Sequence, residues 1–211
     1  MAVPLPVHAL SPAEYLLIER EADYKSEYLG GEMFAMAGAT ALHNLISANV
    51  LCELCIGLKG KVCAPYAGDL RIHTPSTGLY TYPDVSVICG PPEFTPADDR
   101  LETVTNPTLL VEVLSDSTEA YDRGMKFEHY RSLPSLAEYV LISQKSALVE
   151  VFLRQPDGTW RLTPVNGLGA SAPLASLGLE LRLAEVYDRV EFPASVPLRS
   201  STPATGGTGE K

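Results

Sequence analysis

Three ionisable side chains in this chain lie where they could do chemistry together. Glu112 interrupts the apolar run 109–114, which otherwise has the pattern of a fully buried strand. Asp84 follows Pro83 as the first residue of another predicted strand, and Lys126 lies in the helix predicted after Glu112. An ionised carboxylate inside such a strand is costly unless a cation, a proton or hydrogen bonds compensate it. Glu112 therefore predicts a compensating partner nearby in the fold.

The two acids indicate a divalent metal site if their strands are neighbours, because close carboxylates are tolerated mainly when a cation lies between them. Ligation by oxygen alone favours Mg²⁺ or Mn²⁺, which keep several waters and bind phosphate. A metal-bound water is a nucleophile, and the Lys126 ammonium could orient it or stabilise the developing charge. Asp84, Glu112 and Lys126 around a metal predict phosphodiester hydrolysis. Without a metal, they predict a buried pair of Glu112 with Lys126 or Arg123.

The elements that position these residues follow from capping signals and apolar periodicity. Ser11, Pro12 and Glu14 form a capping box that starts a short helix through Glu21, and Gly30-Gly31 marks the turn of a hairpin over 24–37. Further helices are predicted over 40–58, 117–132 and 184–190, and strands over 61–66, 69–73, 84–89, 108–115, 136–142, 148–154 and 177–183. This order predicts an α+β fold in which helices cover a mixed sheet.

The composition predicts one domain and no membrane segment. A chain of 211 residues with 45% hydrophobic residues can bury one core, which we expect over 1–192, and the Pro-, Ser-, Thr- and Gly-rich stretch 193–211 is predicted to be disordered. The first residues lack the features of a secretory signal, and we expect no apolar run near the roughly 18 to 20 residues that span a bilayer. These observations predict a cytoplasmic protein without a membrane partner.

Charge and cysteine content narrow the function further. A net charge of −10 argues against a general nucleic-acid coat or a membrane-surface protein, but it allows a local basic cleft and a carboxylate site completed by a metal. The four cysteines are predicted to be small buried hydrophobes rather than disulfide partners. A zinc or redox role for Cys52 and Cys55 is disfavoured, because no second close pair or histidine ligand run accompanies them.

The motif set resembles a known family. The segments Tyr82-Pro83-Asp84-Val85-Ser86-Val87, 110–118 and Tyr121-Asp122-Arg123-Gly124-x-Lys126-x3-Tyr130 together resemble a large bacterial family of uncharacterised restriction endonuclease-like proteins in the PD-(D/E)XK nuclease superfamily. The similarity spans roughly 11–190. It implies a restriction endonuclease-like fold, with a central mixed β-sheet flanked by helices and an N-terminal helix and hairpin. It also implies DNA as the substrate, Mg²⁺ or Mn²⁺ as the cofactor and, by analogy, a homodimer.

The resemblance also implies roles for single residues. Asp84 and Glu112 correspond to the two metal-binding acids of the superfamily. The superfamily pattern places a lysine two residues after the second acid, where this chain has Leu114, so that role falls on Lys126. Four further residues are additional candidates for the site, as ligands, bases or phosphate contacts: Glu32, His43, Asp69 and Arg123.

Two other functions remain open from the sequence. A catalytically silent nuclease-fold protein, acting as a nucleic-acid-binding or assembly module, would keep these acids but would not cleave. A metal-dependent hydrolase of small phosphoesters would cleave a chromogenic phosphodiester but would not bind a duplex.

Overall fold

The computed structural model describes residues 9–193, so the predicted disordered tail lies outside the described residues from 194 onward. Helix α1 (Pro12–Glu21) begins with the predicted capping box, in which the Ser11 hydroxyl accepts the Glu14 N–H and the Glu14 carboxylate accepts the Ser11 N–H at 2.8 Å. The predicted hairpin is formed by β1 (Ser26–Leu29) and β2 (Glu32–Ala35). Gly30 and Gly31 both have positive φ angles, which the tight turn requires.

The strands of the central sheet are β3 (Cys63–Ala67), β6 (Val85–Cys89), β8 (Leu109–Leu114), β9 (Glu138–Ser143), β10 (Leu148–Arg154) and β11 (Trp160–Asn166). They lie in the order β11-β10-β9-β8-β6-β3. The sheet is mixed, because β8 and β9 are parallel and the other neighbours are antiparallel. The predicted α+β class is therefore confirmed.

A second sheet has five strands in the order β2-β1-β5-β4-β7. The hairpin thus extends a sheet whose other members are β4 (Arg71–Thr74), β5 (Leu79–Thr81) and the parallel β7 (Thr103–Val104). The antiparallel pair β12 (Ser171–Leu174) and β13 (Leu179–Arg182) stands apart, followed by the short helix α5 (Leu183–Val186).

The two faces of the central sheet are covered by different helices. Val111 and Val113 point to one face, where they join a buried apolar cluster with Ile46 and Val50 of helix α2 (Ala41–Leu58). The alternate residues of β8 point to the other face, where Leu110 and Leu114 join a cluster that contains Phe127 and Tyr130. Since successive strand side chains alternate between faces, Glu112 belongs to this second face.

The helix predicted over 117–132 is shorter and less regular than expected. It consists of α3 (Glu119–Tyr121), a π-helical turn Asp122–Lys126 and α4 (Phe127–Tyr130). Apolar spacing alone could not reveal the π turn, which adds one residue to a helical turn. The stretch 90–106, predicted to be loop, contains β7, and the last predicted strand begins later, at Leu179.

The prediction for the cysteines was wrong. Cys63 and Cys89 form a disulfide between the paired strands β3 and β6, and Cys52 and Cys55 are exposed on α2. The pairing depends on strand register, because Cys63 lies directly opposite Cys89. The apolar flanks of Cys52 and Cys55 suggested burial, but both residues lie on the face of α2 that does not meet the sheet.

The expectation about apolar length also needs correction. Helix α2 has 18 residues and, by length and composition alone, is apolar enough to cross a membrane. It is the one such helix within residues 9–193, and 22% of that span is buried inside the protein. Its buried residues are Ile46, Val50, Leu54 and Leu58, which recur every fourth position and pack on the sheet.

Candidate active site

Asp84 and Glu112 lie on neighbouring strands, as the metal hypothesis requires. The antiparallel register pairs Val85 with Val111, so Asp84 and Glu112 occupy the next opposing positions at the same end of the sheet. Strand β6 begins at Val85, one residue later than predicted. The Val113 N–H therefore has no strand partner on that side, and it donates instead to Asp84 Oδ2 at 2.7 Å.

Glu112 is buried in a charged cluster. Its Oε1 lies 2.9 Å from Lys126 Nζ and accepts a hydrogen bond of 2.9 Å from the Tyr130 hydroxyl. The side chains of Glu112 and Lys126 are each 5% exposed, so the pair is shielded from water. The buried position of Glu112 predicted a compensating partner, and that partner is Lys126. The family resemblance had assigned the same lysine to the site.

The π turn places two charged side chains toward the sheet. Lys126 Nζ lies 3.6 Å from Asp122 Oδ1, and both residues are buried although Gly124 and Met125 between them are exposed. The Tyr139 hydroxyl of β9 donates to the Asp122 carbonyl at 3.0 Å and so holds this turn on the sheet. π turns inside helices are frequent at functional sites.

Glu27 is a member of the cluster that sequence reasoning missed. Its Oε1 lies 3.3 Å from Lys126 Nζ, and it also accepts a hydrogen bond from the Thr81 hydroxyl. The sequence did contain an indication of this role, since Glu27 is a carboxylate in a β1 segment that is otherwise suited to burial. That signal is weak in a strand of four residues beside a hairpin turn.

The charges of the cluster do not balance. Glu27, Glu112 and Asp122 surround one ammonium group. Burial raises the pKa of Glu112 well above its usual range, and although Lys126 opposes this rise, Asp122 and Asp84 add to it. Burial likewise raises the pKa of Asp122, whereas the surrounding carboxylates hold the pKa of Lys126 well above its usual value against the effect of burial. The cluster therefore favours an added proton or an added cation.

Asp84 forms a second, more accessible pair with His43. His43 Nε2 lies 3.2 Å from Asp84 Oδ2, and the two side chains are 15% and 22% exposed. Burial alone would lower the pKa of His43, but the hydrogen bond and the charge of Asp84 more than offset this and leave the pKa raised. The N-cap Thr40 begins α2 three residues before His43, so the first turn of that helix delivers the imidazole to Asp84.

The donor set at this end of the sheet fits a hard divalent cation. The contacts of Asp84 with His43 and Val113 use Oδ2, and those of Glu112 with Lys126 and Tyr130 use Oε1, so the other oxygen of each carboxylate takes no part in these contacts. Across residues 9–193, no three His, Cys, Asp or Glu side chains are arranged as a complete metal cage. Mg²⁺ needs no such cage, because it binds through one or two carboxylates and keeps its remaining waters.

The other candidates lie apart from this cluster. Asp69 is exposed and pairs with Lys25 at 2.5 Å, and Glu32 is exposed on β2. Arg123 projects from the π turn to Glu119 and Glu150, at 2.9 and 2.6 Å. Of the four additional candidates, the structure brings only His43 into contact with one of the two central acids.

Comparison with known proteins defines the class and then the family. The structure has a restriction endonuclease-like fold, since it matches a crystal structure from Anabaena variabilis described as "a putative nuclease belonging to DUF820". The TM-score is 0.68 at 17% sequence identity, over 85% of this chain and 98% of that one. Residues 12–184 match the profile of the Uma2 family, described as "Putative restriction endonuclease". The chain belongs to this family.

Two relatives from Synechocystis sp. (strain ATCC 27184 / PCC 6803 / Kazusa) are each 38% identical to this chain. "Uncharacterized protein slr1290" aligns over 189 residues, which is 89% of this chain and 96% of the relative. "Uncharacterized protein sll1609" aligns over 170 residues, which is 81% of this chain and 95% of the relative. The matches cover nearly the full length of both relatives and include the segments that carry Asp84, Glu112 and Lys126.

Proposed function

We propose that this protein is a Mg²⁺-dependent endonuclease that hydrolyses DNA phosphodiester bonds. Asp84 and Glu112 would hold the ion, and Lys126 would assist at the scissile phosphate. One observation carries the proposal: two acids from adjacent strands occupy opposing positions, with a buried ammonium 2.9 Å from one of them. Membership of a family described as restriction endonucleases supports nucleic acid as the substrate.

The residues of the chain would each contribute a separate effect. When bound, Mg²⁺ supplies a Lewis acid that polarises the phosphate and lowers the pKa of a coordinated water. His43 and the Val113 N–H fix the Asp84 carboxylate in one orientation. Tyr130 and Lys126 do the same for Glu112. The Lys126 ammonium would supply positive charge to a phosphate that gains negative charge in the reaction.

The test compares metal binding with cleavage. Wild-type protein should bind Mn²⁺ by calorimetry and cleave plasmid DNA in Mg²⁺ but not in EDTA. Asp84→Asn and Glu112→Gln should lose both properties, whereas Lys126→Met should lose cleavage. Glu180→Gln and Lys61→Met serve as matched controls, because both residues are exposed. Full cleavage by Glu112→Gln despite lost Mn²⁺ binding would overturn the proposal.

One observation favours a catalytically silent nucleic-acid-binding module as the second candidate. Lys126 is already engaged by three carboxylates, at 2.9, 3.3 and 3.6 Å, so its ammonium is neutralised within the fold. This candidate predicts binding of labelled DNA without cleavage in any divalent metal. Cleavage of a chromogenic phosphodiester without DNA binding would instead identify a small-phosphoester hydrolase.

The homodimer and the cytoplasmic location stay predictions. A dimer would let two sites address the two strands of a duplex. Light scattering coupled to size-exclusion chromatography measures the mass directly, and a mass near the 22.7 kDa of one chain would contradict the dimer.

A further inference from the structure

A polar cleft of about 300 Å³ is lined by three arginines and three carboxylates, together with Tyr82: Arg20, Arg71, Arg100, Glu19, Asp69 and Glu102. Two of its lining residues are near members of the candidate active site. Tyr82, which lines the cleft, stands two residues before Asp84. Glu19, the other of these residues, accepts the Ser26 N–H at 2.9 Å, directly beside Glu27. A polymer bound at the acids would therefore pass close to this cleft.

Arg71 is held rigidly at the cleft, with a side chain that is 3% exposed. Its Nε donates to the Thr103 hydroxyl at 2.8 Å, and its Nη1 donates to the Tyr82 hydroxyl at 2.9 Å. The Nη2 group is different, because the carboxylate oxygens beside it belong to Asp98 and Glu102 at 3.6 and 3.7 Å. These separations exceed hydrogen-bond length, so both contacts are purely electrostatic.

Arg20 presents a second guanidinium group at the cleft. Its Nη2 donates to Asp98 at 2.7 Å and to Asp99 at 2.8 Å. Its Nε is buried and has no hydrogen-bond partner within the described chain, and the Glu102 carboxylate lies 3.6 Å away. A buried guanidinium N–H without an acceptor is unfavourable, so this donor favours an acceptor at closer range.

Both donors face the same atom. Glu102 Oε2 lies 3.6 Å from Arg20 Nε and 3.7 Å from Arg71 Nη2. The Glu102 side chain is 47% exposed, whereas the arginine side chains are 10% and 3% exposed. A loosely held carboxylate therefore stands between two well-fixed guanidinium groups, at a position suited to a larger oxyanion.

We propose that the cleft binds a phosphate group between Arg20 Nε and Arg71 Nη2, at the position that the Glu102 carboxylate now takes. A phosphate presents several acceptor oxygens and can reach both donors at hydrogen-bond length. Arg100 adds a third guanidinium at the exposed rim. Glu102 then competes with the phosphate for the same donors. This inference rests on the proposed function, because the phosphate would belong to the backbone of a DNA strand that also reaches Asp84. A free nucleotide offers the same chemistry.

The test uses Glu102→Gln, which removes the competing charge and keeps the side-chain shape. Binding is measured by fluorescence anisotropy with a labelled oligonucleotide, and by calorimetry with inorganic phosphate and a nucleoside monophosphate. All measurements are made in EDTA at constant ionic strength, so that no cleavage occurs. We expect Glu102→Gln to tighten binding by roughly three- to tenfold. Glu180→Gln, which changes the net charge equally at an exposed position on β13, should leave binding unchanged.

Arg100→Gln gives an independent measurement at an exposed position that does not endanger the fold. It should weaken binding, whereas Arg161→Gln, exposed on β11, should not. Tightening by Glu102→Gln for the oligonucleotide alone assigns the site to a backbone phosphate, and tightening for the small phosphates assigns it to a free one. Equal effects of Glu102→Gln and Glu180→Gln, or no effect of either, would overturn the inference. A tightened complex that never cleaves DNA in Mg²⁺ would refute the proposed nuclease function alone.

Discussion

Glu27 of the five-stranded sheet and Glu112 of the six-stranded sheet meet at one ammonium group, 3.3 and 2.9 Å from Lys126 Nζ. Together with Asp122, they give the cluster more negative than positive charge. Burial raises the pKa of Glu112, and the charge of Asp122 adds to this rise. The excess of carboxylates over ammonium groups supports the affinity for a cation that we infer. The relationship between these two residues leads to the first two predictions.

Glu27→Gln should weaken Mn²⁺ binding while the protein stays folded. The substitution keeps the side-chain shape and removes one of the three carboxylate charges beside Lys126. Residues that support metal ligands typically change affinity by about 10–100-fold when they are mutated. Calorimetry with Mn²⁺ measures the effect, and Glu21→Gln, exposed at the end of α1, is the matched control. Unchanged Mn²⁺ affinity in Glu27→Gln would exclude Glu27 from the site.

Lys126→Met should destabilise the protein by about 3–5 kcal/mol, the usual result of removing one partner of a buried ion pair. The loss should be larger at pH 8 than at pH 5. Without the ammonium group, the pKa of Glu112, which burial already raises, becomes higher still. The folded state of the variant then binds more protons than its unfolded state, so its stability falls as the pH increases. Urea unfolding at both pH values tests this, with Lys61→Met as the control. A loss that is the same at both pH values would contradict the explanation.

His73 should make stability depend on pH in the acid range. Burial lowers the pKa of His73 from 6.5 to about 4, and the imidazole stacks on Tyr80 at 4.1 Å. Between pH 6.5 and 4, the unfolded chain therefore binds a proton at His73 that the folded chain does not bind. The contribution of the neutral His73 imidazole to the free energy of unfolding is lost as the pH falls from 6.5 toward 4. His73→Phe keeps a ring on Tyr80 and should flatten the slope of unfolding free energy over this range. Its slope above pH 7 should match that of wild type.

Reduction of the disulfide should loosen the edge of the central sheet. Cys63 and Cys89 are 26 residues apart, and a closed loop of this size stabilises a fold by about 3.5 kcal/mol in the chain-entropy model. Dithiothreitol should therefore lower the midpoint of urea unfolding for wild type. Cys63→Ser with Cys89→Ser should start from the lower midpoint and show no response to dithiothreitol. Cys52→Ser with Cys55→Ser should respond as wild type does.

The sequence was most informative where one residue conflicted with its surroundings. A carboxylate within the apolar run around Glu112 predicted a partner, and the structure supplies Lys126. The capping box of α1 and the glycine turn of the hairpin are local signals, so both could be predicted without tertiary information. The metal site was predicted on the condition that the strands of Asp84 and Glu112 are neighbours, and the strand register meets this condition.

What the sequence could not predict depends on contacts between distant segments. Glu27 joins the cluster because the hairpin pairs with β5, and β5 leads into the segment that ends at Asp84. The Cys63–Cys89 bond depends on register between β3 and β6, and the π turn depends on how Asp122 and Lys126 are buried against the sheet. None of these has a local pattern as distinctive as a cap or a glycine turn.

The charged cluster around Lys126 takes residues from two sheets, so the cluster depends on the formation of both sheets. Glu112 and Lys126 can meet once the central sheet has formed, but Glu27 arrives only when the hairpin has joined the second sheet. A chain that is still folding, or whose hairpin has detached, lacks the full set of charges around Lys126. The three-carboxylate cluster is therefore complete only in a chain in which both sheets have formed.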